Sequence, residues 1–544
     1  MPSASHSPSK PWIAPVTLVG AVLLVYWPVV TFGFLNWDDP HTVTSNPHLN
    51  PPTAAGLGWH WMHYDFGLFI PVTYSAWWAT AQLTSAQAAW AFHALNVIVH
   101  ALTSLVVLLL LRRLTTSGPA AFVGAMLFAL HPLQSEAVAW VSGLKDVLCG
   151  LLAAISLWQY VTYAQNPAAD RRAWSWAMLA FILALLAKPV AVVVPFLAIT
   201  IDILILHRPG KIALRSAAPM VVVAVLWTVV AAWVQDTGMV TTTVPWWQRP
   251  FVAVDALSFY LIKLIAPLRL APDYGRTPQA QMESARIWVS WILPVAITLV
   301  LLTLRRRRPG LAAAGLIFLL GLLPVLGLVT FQFQEISTVA DHYMYLPMIG
   351  VALAVATLLE NARARAVGVV CTVALTSLGI LSIIQTMYWR DSRTLFTHAL
   401  EVNPQSSVAS NNLAFVMLDR DPAEAERLAR RAVEVKPNNE PARVNLGMAL
   451  AKQARPEDAA EQFKKAIALE PNDADAHSNL AAAYGEMGRF DDARRECDVA
   501  LQINPNHRQA RLILSLLQRV PKPPSASAPA PVEGPAPATT RSSG

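Results

Sequence analysis

The chain has 544 residues, 55% of them apolar and only 14% charged, with 19 Trp and a mean hydropathy of +0.42. Average soluble domains run at roughly 45–50% apolar and 25% charged, so a wholly soluble globular protein is excluded. Three scattered cysteines (Cys149, Cys371, Cys497) exclude a disulfide scaffold or a paired-cysteine metal site. The net charge of +7 is no sign of nucleic-acid binding: residues 1–392 hold 22 Lys/Arg and 15 Asp/Glu, whereas 393–520 hold 17 and 18. The excess sits in the apolar part, where basic residues orient helices in the bilayer.

In chain order, residues 1–11 read as a disordered leader and the apolar region begins at residue 12. A helix needs about 20 apolar residues to cross the hydrocarbon core. That length gives eleven expected crossings, near 12–35, 89–111, 118–131, 146–163, 174–187, 189–206, 214–234, 287–304, 310–330, 343–359 and 366–388. The first run is too long for a cleaved signal peptide and no small-x-small site closes it. The stretch 251–265 carries Asp255 and Lys263 and reads as a surface-lying or re-entrant helix. With the N-terminus in the cytoplasm, cytoplasmic connections receive 14 of the 22 basic residues, the run Arg305–Arg308 among them. The C-terminal region then lies outside, and 12 of the 15 acids gather on that outer face.

Past residue 392 the hydrophobicity drops and a repeat begins. Pro404, Pro437, Pro471 and Pro505 are spaced 33, 34 and 34 apart and end the phrases HALEVNP, RAVEVKP, KAIALEP and VALQINP. A 34-residue period with small residues at helix crossings and Pro closing each second helix resembles the tetratricopeptide repeat (TPR). Helix pairs this short cannot bury an apolar face alone, so they stack into a solenoid. About three repeats are expected, preceded by a helix over 393–402 and closed by one near 507–519. A peptide-binding groove and a plain spacer or oligomerisation module are both open. The Pro/Ala/Ser-rich tail 521–544 reads as disordered.

The chemistry should lie where polar groups meet the membrane, because a charge at the bilayer centre costs about 2.5–3.5 kcal/mol on insertion scales. Asn36-Trp37-Asp38-Asp39-Pro40 follows the first crossing. In an extended segment, neighbouring carboxylates point opposite ways. One would face a cavity as base or metal ligand and the other would hold the loop; a solvated acidic turn is the plain alternative. His93, Asn96 and His100 form one stripe of the second crossing, read chiefly as interhelical hydrogen-bonding groups. His131, Glu136, Lys145 and Asp146 follow on the outer side, then Lys188-Pro189, Asp273-Tyr274 and Asp341-His342-Tyr343. No Walker A loop, GxGxxG or HExxH motif is present. An outer-face enzyme without nucleotide needs an activated substrate delivered in the lipid.

The ordered set FLNWDDPHTVTSNPHL, PVTYSAWW, FHALNVIVHAL, LFALHPLQSEAVAWVSGLKDVL, LLAKPVAVVVP, LAPDY and VADHYMYLP, followed by the repeats, resembles the transmembrane-and-TPR protein O-mannosyltransferases and their bacterial relatives over about residues 12–520. The resemblance implies an all-α fold: a polytopic, GT-C-like helical membrane bundle of about 11 crossings over 12–392, then a C-terminal TPR α-solenoid over 393–520. It implies an inverting glycosyltransferase that takes mannose or another hexose from a polyprenyl-phosphate carrier. Asp38, paired with Asp39, would be the catalytic base. Lys188, His342, Tyr343, His131 and Lys145 would bind donor and phosphate, supported by Glu136, Asp146, His93, Asn96, Asp273 and Tyr274. A divalent cation, if one is used, would sit at Asp38 or Asp39. The acceptor would be a polypeptide or glycan, offered through the repeats, at the outer face of a bacterial inner membrane. The chain departs from the family pattern at three places. Ile70 stands where Arg is usual before PVT, Pro189 where Glu follows Lys, and His342 where Arg precedes Tyr. Two other readings compete: a decayed, membrane-anchored TPR scaffold recruiting extracytoplasmic proteins, and an O-antigen ligase- or polymerase-like enzyme. Transport is disfavoured because no inverted repeat of interrupted helices is visible.

Overall fold

A computed structural model describes residues 12–65, 67–234, 243–362 and 365–519. The disordered leader and tail expected at 1–11 and 521–544 lie outside the described residues. Among these the fold is helical, and the only strand-like pairing is an isolated bridge between Asp65 and Leu68.

Each of the eleven apolar runs folds as helix. Among the described residues six helices are long and apolar enough to span a bilayer: Ile13–Thr31, Ala89–Leu114, Val141–Gln165, Gly210–Val234, Ala285–Leu304 and Ala366–Met387. Gly118–Leu130, Pro189–Leu204, Pro309–Val325 and Met348–Leu359 are shorter apolar helices. Many aliphatic side chains on these helices, such as Leu24, Val229, Leu299 and Val370, stay exposed. Helix–helix contact is made by small residues, as expected where lipid is as apolar as leucine. A Cβ on Gly124 would lie 2.4 Å from the Ala352 carbonyl, and one on Gly350 2.6 Å from that of Ala314. Those glycines let the Gly118–Leu130, Pro309–Leu322 and Met348–Leu359 helices approach backbone to backbone. The Arg249–Ile265 helix buries Val252, Asp255, Ala256 and Tyr260 and exposes Phe251, Ile262 and Ile265. Asp255 pairs there with buried Arg276.

The chain divides into two compact units, Met1–Val416 and Met417–Gly544, whereas the sequence reading drew its boundary after residue 392. The Ser392–Val402 helix belongs to the first unit for visible reasons. The Ser392 hydroxyl accepts from the Asn36 N–H at 2.8 Å, the buried Phe396 ring lies 5.8 Å from Trp37, and His398 Nε2 lies 2.9 Å from the Leu270 carbonyl.

The second unit is a run of paired helices: Pro422–Val435, Glu440–Lys452, Pro456–Leu469, Ala474–Glu486, Phe490–Ile503 and Arg508–Leu517. Its period has a physical basis in each turn. Arg443, His477 and Arg511 hydrogen-bond the carbonyls of Pro437, Pro471 and Pro505, so each repeat-ending proline is tied to the helix that follows it. Ala442, Ala476 and Ala510 are fully buried where paired helices cross.

Candidate active site

The segment carrying the twin aspartates is not extended. Asp39 has right-handed helical angles (φ −58°, ψ −35°), and Pro40–Thr44 make a single π-helical turn. The two carboxylates still diverge. Asp39 is fully buried, and its oxygens accept from the Leu35 N–H (2.9 Å), the Ser142 N–H (3.2 Å) and the Ser142 hydroxyl (2.7 Å). Burial pushes its carboxyl up to about 6 despite those donors. Asp39 thereby clamps the first loop to the turn before the Leu144–Gln165 helix. The Asp38 side chain is 38% exposed and pairs with the Lys145 ammonium at 3.4 Å. Lys145 in turn lies over the Trp140 ring, 4.8 Å from its centroid.

Next to this pair is a small hollow lined by Asp146, Cys149, Gly150, Lys188, Val190, His342, Tyr343, Tyr345 and Leu346. Lys188 enters as the cap residue after the Arg171–Ala187 helix, in extended backbone. Its ammonium pairs with Asp146 at 2.5 Å and lies 5.5 Å from the Tyr343 ring centroid. Thr73 of the PVT segment donates to the Ala187 carbonyl at 2.9 Å and so braces the chain before Lys188. His342 is held from behind. Its Nδ1 lies 2.7 Å from Glu136 Oε1, while Glu136 Oε2 accepts the backbone N–H groups of Asp341 (3.0 Å) and His342 (3.3 Å). Burial, reinforced by the Asp146 charge, pushes the Glu136 carboxyl well above its usual range. Burial also drives the His342 imidazole down to about 3. Lys145, paired with Asp38, is next in the chain to Asp146, which lines the hollow, so the two features adjoin.

The structure therefore brings together Asp38, Lys145, Asp146, Lys188, Glu136, His342 and Tyr343, read from separate parts of the sequence. It turns others away. His131, expected at the phosphate, uses Nδ1 to accept from the Leu133 N–H and sets Nε2 against the Leu264 carbonyl, so both ring nitrogens serve backbone. Asp273 accepts the Gly275 N–H at 2.7 Å in a turn, and the Tyr274 hydroxyl donates to Asp341 at 2.8 Å. His93, Asn96 and His100 bond the Gly33 carbonyl, the Trp140 carbonyl and the Tyr345 hydroxyl across helices. Ile70 is buried and apolar, so no cation enters at that position. Sequence reasoning missed Ser142, the partner of Asp39, and Gly150. A Cβ on Gly150 would come within 2.3 Å of the Tyr345 ring. Only the SGLKD run, where Ser142 precedes Lys145 and Asp146, hints at the serine, and nothing in the sequence singles out Gly150.

A divalent cation is not matched by this donor set. Both Asp39 oxygens are occupied by N–H and O–H donors, and Asp38 faces an ammonium. Among the described residues no three His, Cys, Asp or Glu side chains converge as metal ligands.

Fold and composition define a multi-pass helical membrane protein that carries a tetratricopeptide-repeat solenoid. Two family models described as tetratricopeptide repeat match residues 417–467 and 450–517. The chain is similar to protein O-mannosyl-transferases of the transmembrane-and-TPR group. Human Protein O-mannosyl-transferase TMTC1 is 31% identical over 158 residues, 27% of this chain and 18% of that protein. Mouse TMTC2 is 29% identical over 122 residues, 22% and 15% of the respective lengths, and human TMTC4 is 25% identical over 217 residues, 35% and 29%. The matched part thus spans less than a third of each of these relatives. Among solved structures, the TPR protein YrrB is 24% identical over 30% of this chain and 82% of its own, with a TM-score of 0.22.

Proposed function

We propose that the protein is an integral-membrane glycosyltransferase that moves a mannosyl group from a polyprenyl-phosphate carrier to a hydroxyl of a polypeptide acceptor at the extracytoplasmic face. The observation that carries this reading is the pairing of one exposed carboxylate, Asp38 beside Lys145, with a cation-walled hollow at Lys188. Such a site suits a reaction in which a hydroxyl loses a proton while a phosphate leaves with added negative charge. Asp38 is the general base; a positioned base typically contributes about 10²–10⁴-fold. The acceptor oxygen attacks the anomeric carbon from the side opposite the departing phosphate, which inverts the configuration. Lys188, held at the wall by Asp146, stabilises the phosphate electrostatically. Asp39 touches no reactant and keeps the loop in register.

The test is complementation of a deletion strain with the wild-type gene and with Asp38→Asn, read by mass spectrometry of surface proteins. Wild type restores one hexose mass on a defined set of peptides, and Asp38→Asn, expressed and folded at wild-type level, restores none. Full restoration by Asp38→Asn leaves the scaffold reading in its place.

A further inference from the structure

The Glu136–His342 pair has a geometry that simple phosphate binding does not require. Three features define it. Glu136 Oε2 is engaged by two backbone N–H groups of the Asp341–Met344 turn, which leaves Oε1 to face His342 Nδ1 at 2.7 Å. Glu136 and His342 are both buried, His342 with 6% exposure. The imidazole lines the same hollow as Lys188 and Tyr343, and its Nε2 has no hydrogen-bond partner among the described residues. One edge of the ring is thus fixed by a carboxyl group and the other is open to whatever occupies the hollow.

Burial of both groups favours the neutral arrangement, in which the protonated Glu136 carboxyl donates a hydrogen bond to Nδ1 and Nε2–H points outward. The nearby charges are paired: Asp146 with Lys188 and Lys145 with Asp38. A fixed cation on His342 would upset that balance. A proton that moves only when a new negative charge arrives would not.

We infer that Glu136 and His342 form a proton-donating dyad for the leaving phosphate, an inference that rests on the transferase reading above. As the anomeric C–O bond to phosphate breaks, its electron pair goes to the phosphate oxygen. His342 donates its Nε2 proton there, and Glu136 passes its own proton to Nδ1. The acceptor hydroxyl proton is taken by Asp38 as the new C–O bond forms. After the turn Glu136 is an anion stabilised by the two backbone N–H groups and His342 carries its proton on Nδ1; solvent takes the proton from Asp38, and a proton entering from solvent at His342 Nε2 returns the Nδ1 proton to Glu136, restoring both groups. His342 is a catalytic residue in this scheme, and Glu136 is a positioning residue and proton reserve.

The test uses the full chain in lipid nanodiscs, with deletion-strain membranes as acceptor and two donors, farnesyl-phosphate mannose and its bridging-side phosphorothioate analogue, whose leaving group is less basic. His342→Gln and Glu136→Gln are expected to slow transfer from the phosphate donor about 10²-fold and to recover to within about tenfold of wild type with the phosphorothioate. Asp38→Asn should lose the same factor with both. A misfolded or merely loosened hollow would depress both donors alike. Equal losses of the Glu136 and His342 variants with the two donors, or no loss, overturn the dyad while wild-type transfer upholds the transferase. A wild type that binds farnesyl-phosphate mannose without transferring it overturns both.

Discussion

At the scale of single residues, the site turns on what distinguishes two adjacent aspartates. Asp38 and Asp39 are chemically identical, yet one faces an ammonium at 38% exposure and the other is fully enclosed by three donors. Asp39→Ala strands the Leu35 and Ser142 donors in a dry environment, where an unmet partner costs about 1–3 kcal/mol. It should lower the thermal midpoint of the detergent-solubilised protein and reduce activity through the loop, whereas Asp38→Asn leaves the midpoint unchanged. Equal midpoints for wild type and Asp39→Ala would refute the clamp. The division of labour between the carboxylates is decided by Ser142, which lies 103 residues away. A local sequence window holds no trace of that pairing. His131 teaches the reverse lesson. The family resemblance implied a donor-binding role for it, but a histidine entering a helical turn can cap it, and the Leu133 N–H donates to Nδ1.

At the scale of elements, the helices were legible because each depends on near neighbours: an apolar run of spanning length, or a 34-residue phrase repeated with small residues at crossings. The first outer segment was less legible. Its Ala54–Met62 helix is held by stacked rings, His48 on Trp59 (3.9 Å) and His60 on Tyr74 (3.8 Å). Burial and the nearby His48 charge lower the His60 imidazole to about 4. Between about pH 6.5 and 4 the unfolded segment binds a proton that the folded one refuses, so its stability is whole above that window and falls as pH drops through it. Amide exchange over residues 54–62 should therefore quicken from about pH 7.5 to pH 5 after correction for intrinsic rates, and His60→Phe, which keeps the stack, should abolish the change. The same acceleration in His60→Phe would place the acid response elsewhere.

For the whole molecule, the proposed topology rests on charge. The four consecutive arginines Arg305–Arg308 are all exposed at the end of the Ala285–Leu304 helix. If they are held in the cytoplasm by the positive-inside bias, the face carrying Asp38 and Ser392 is extracytoplasmic. Alkaline phosphatase fused after residue 519 should then be active and green fluorescent protein at the same site dark. A fluorescent fusion with inactive phosphatase would invert the topology and remove the acceptor route.

Sequence by itself determined the class of this protein. Hydropathy, the 34-residue period and the ordered motifs are local or periodic properties, and they survive in one dimension. Tertiary structure alone decided which partner each polar side chain meets. It enclosed Asp39 among three donors and left Asp38 beside Lys145, put Glu136 behind a histidine 206 residues away, held Lys188 against Asp146 across 42 residues, and set both ring nitrogens of His131 against backbone. The physical reason is that a buried polar group takes its role from the partners that replace water, and those partners are chosen by packing between helices rather than by adjacency along the chain.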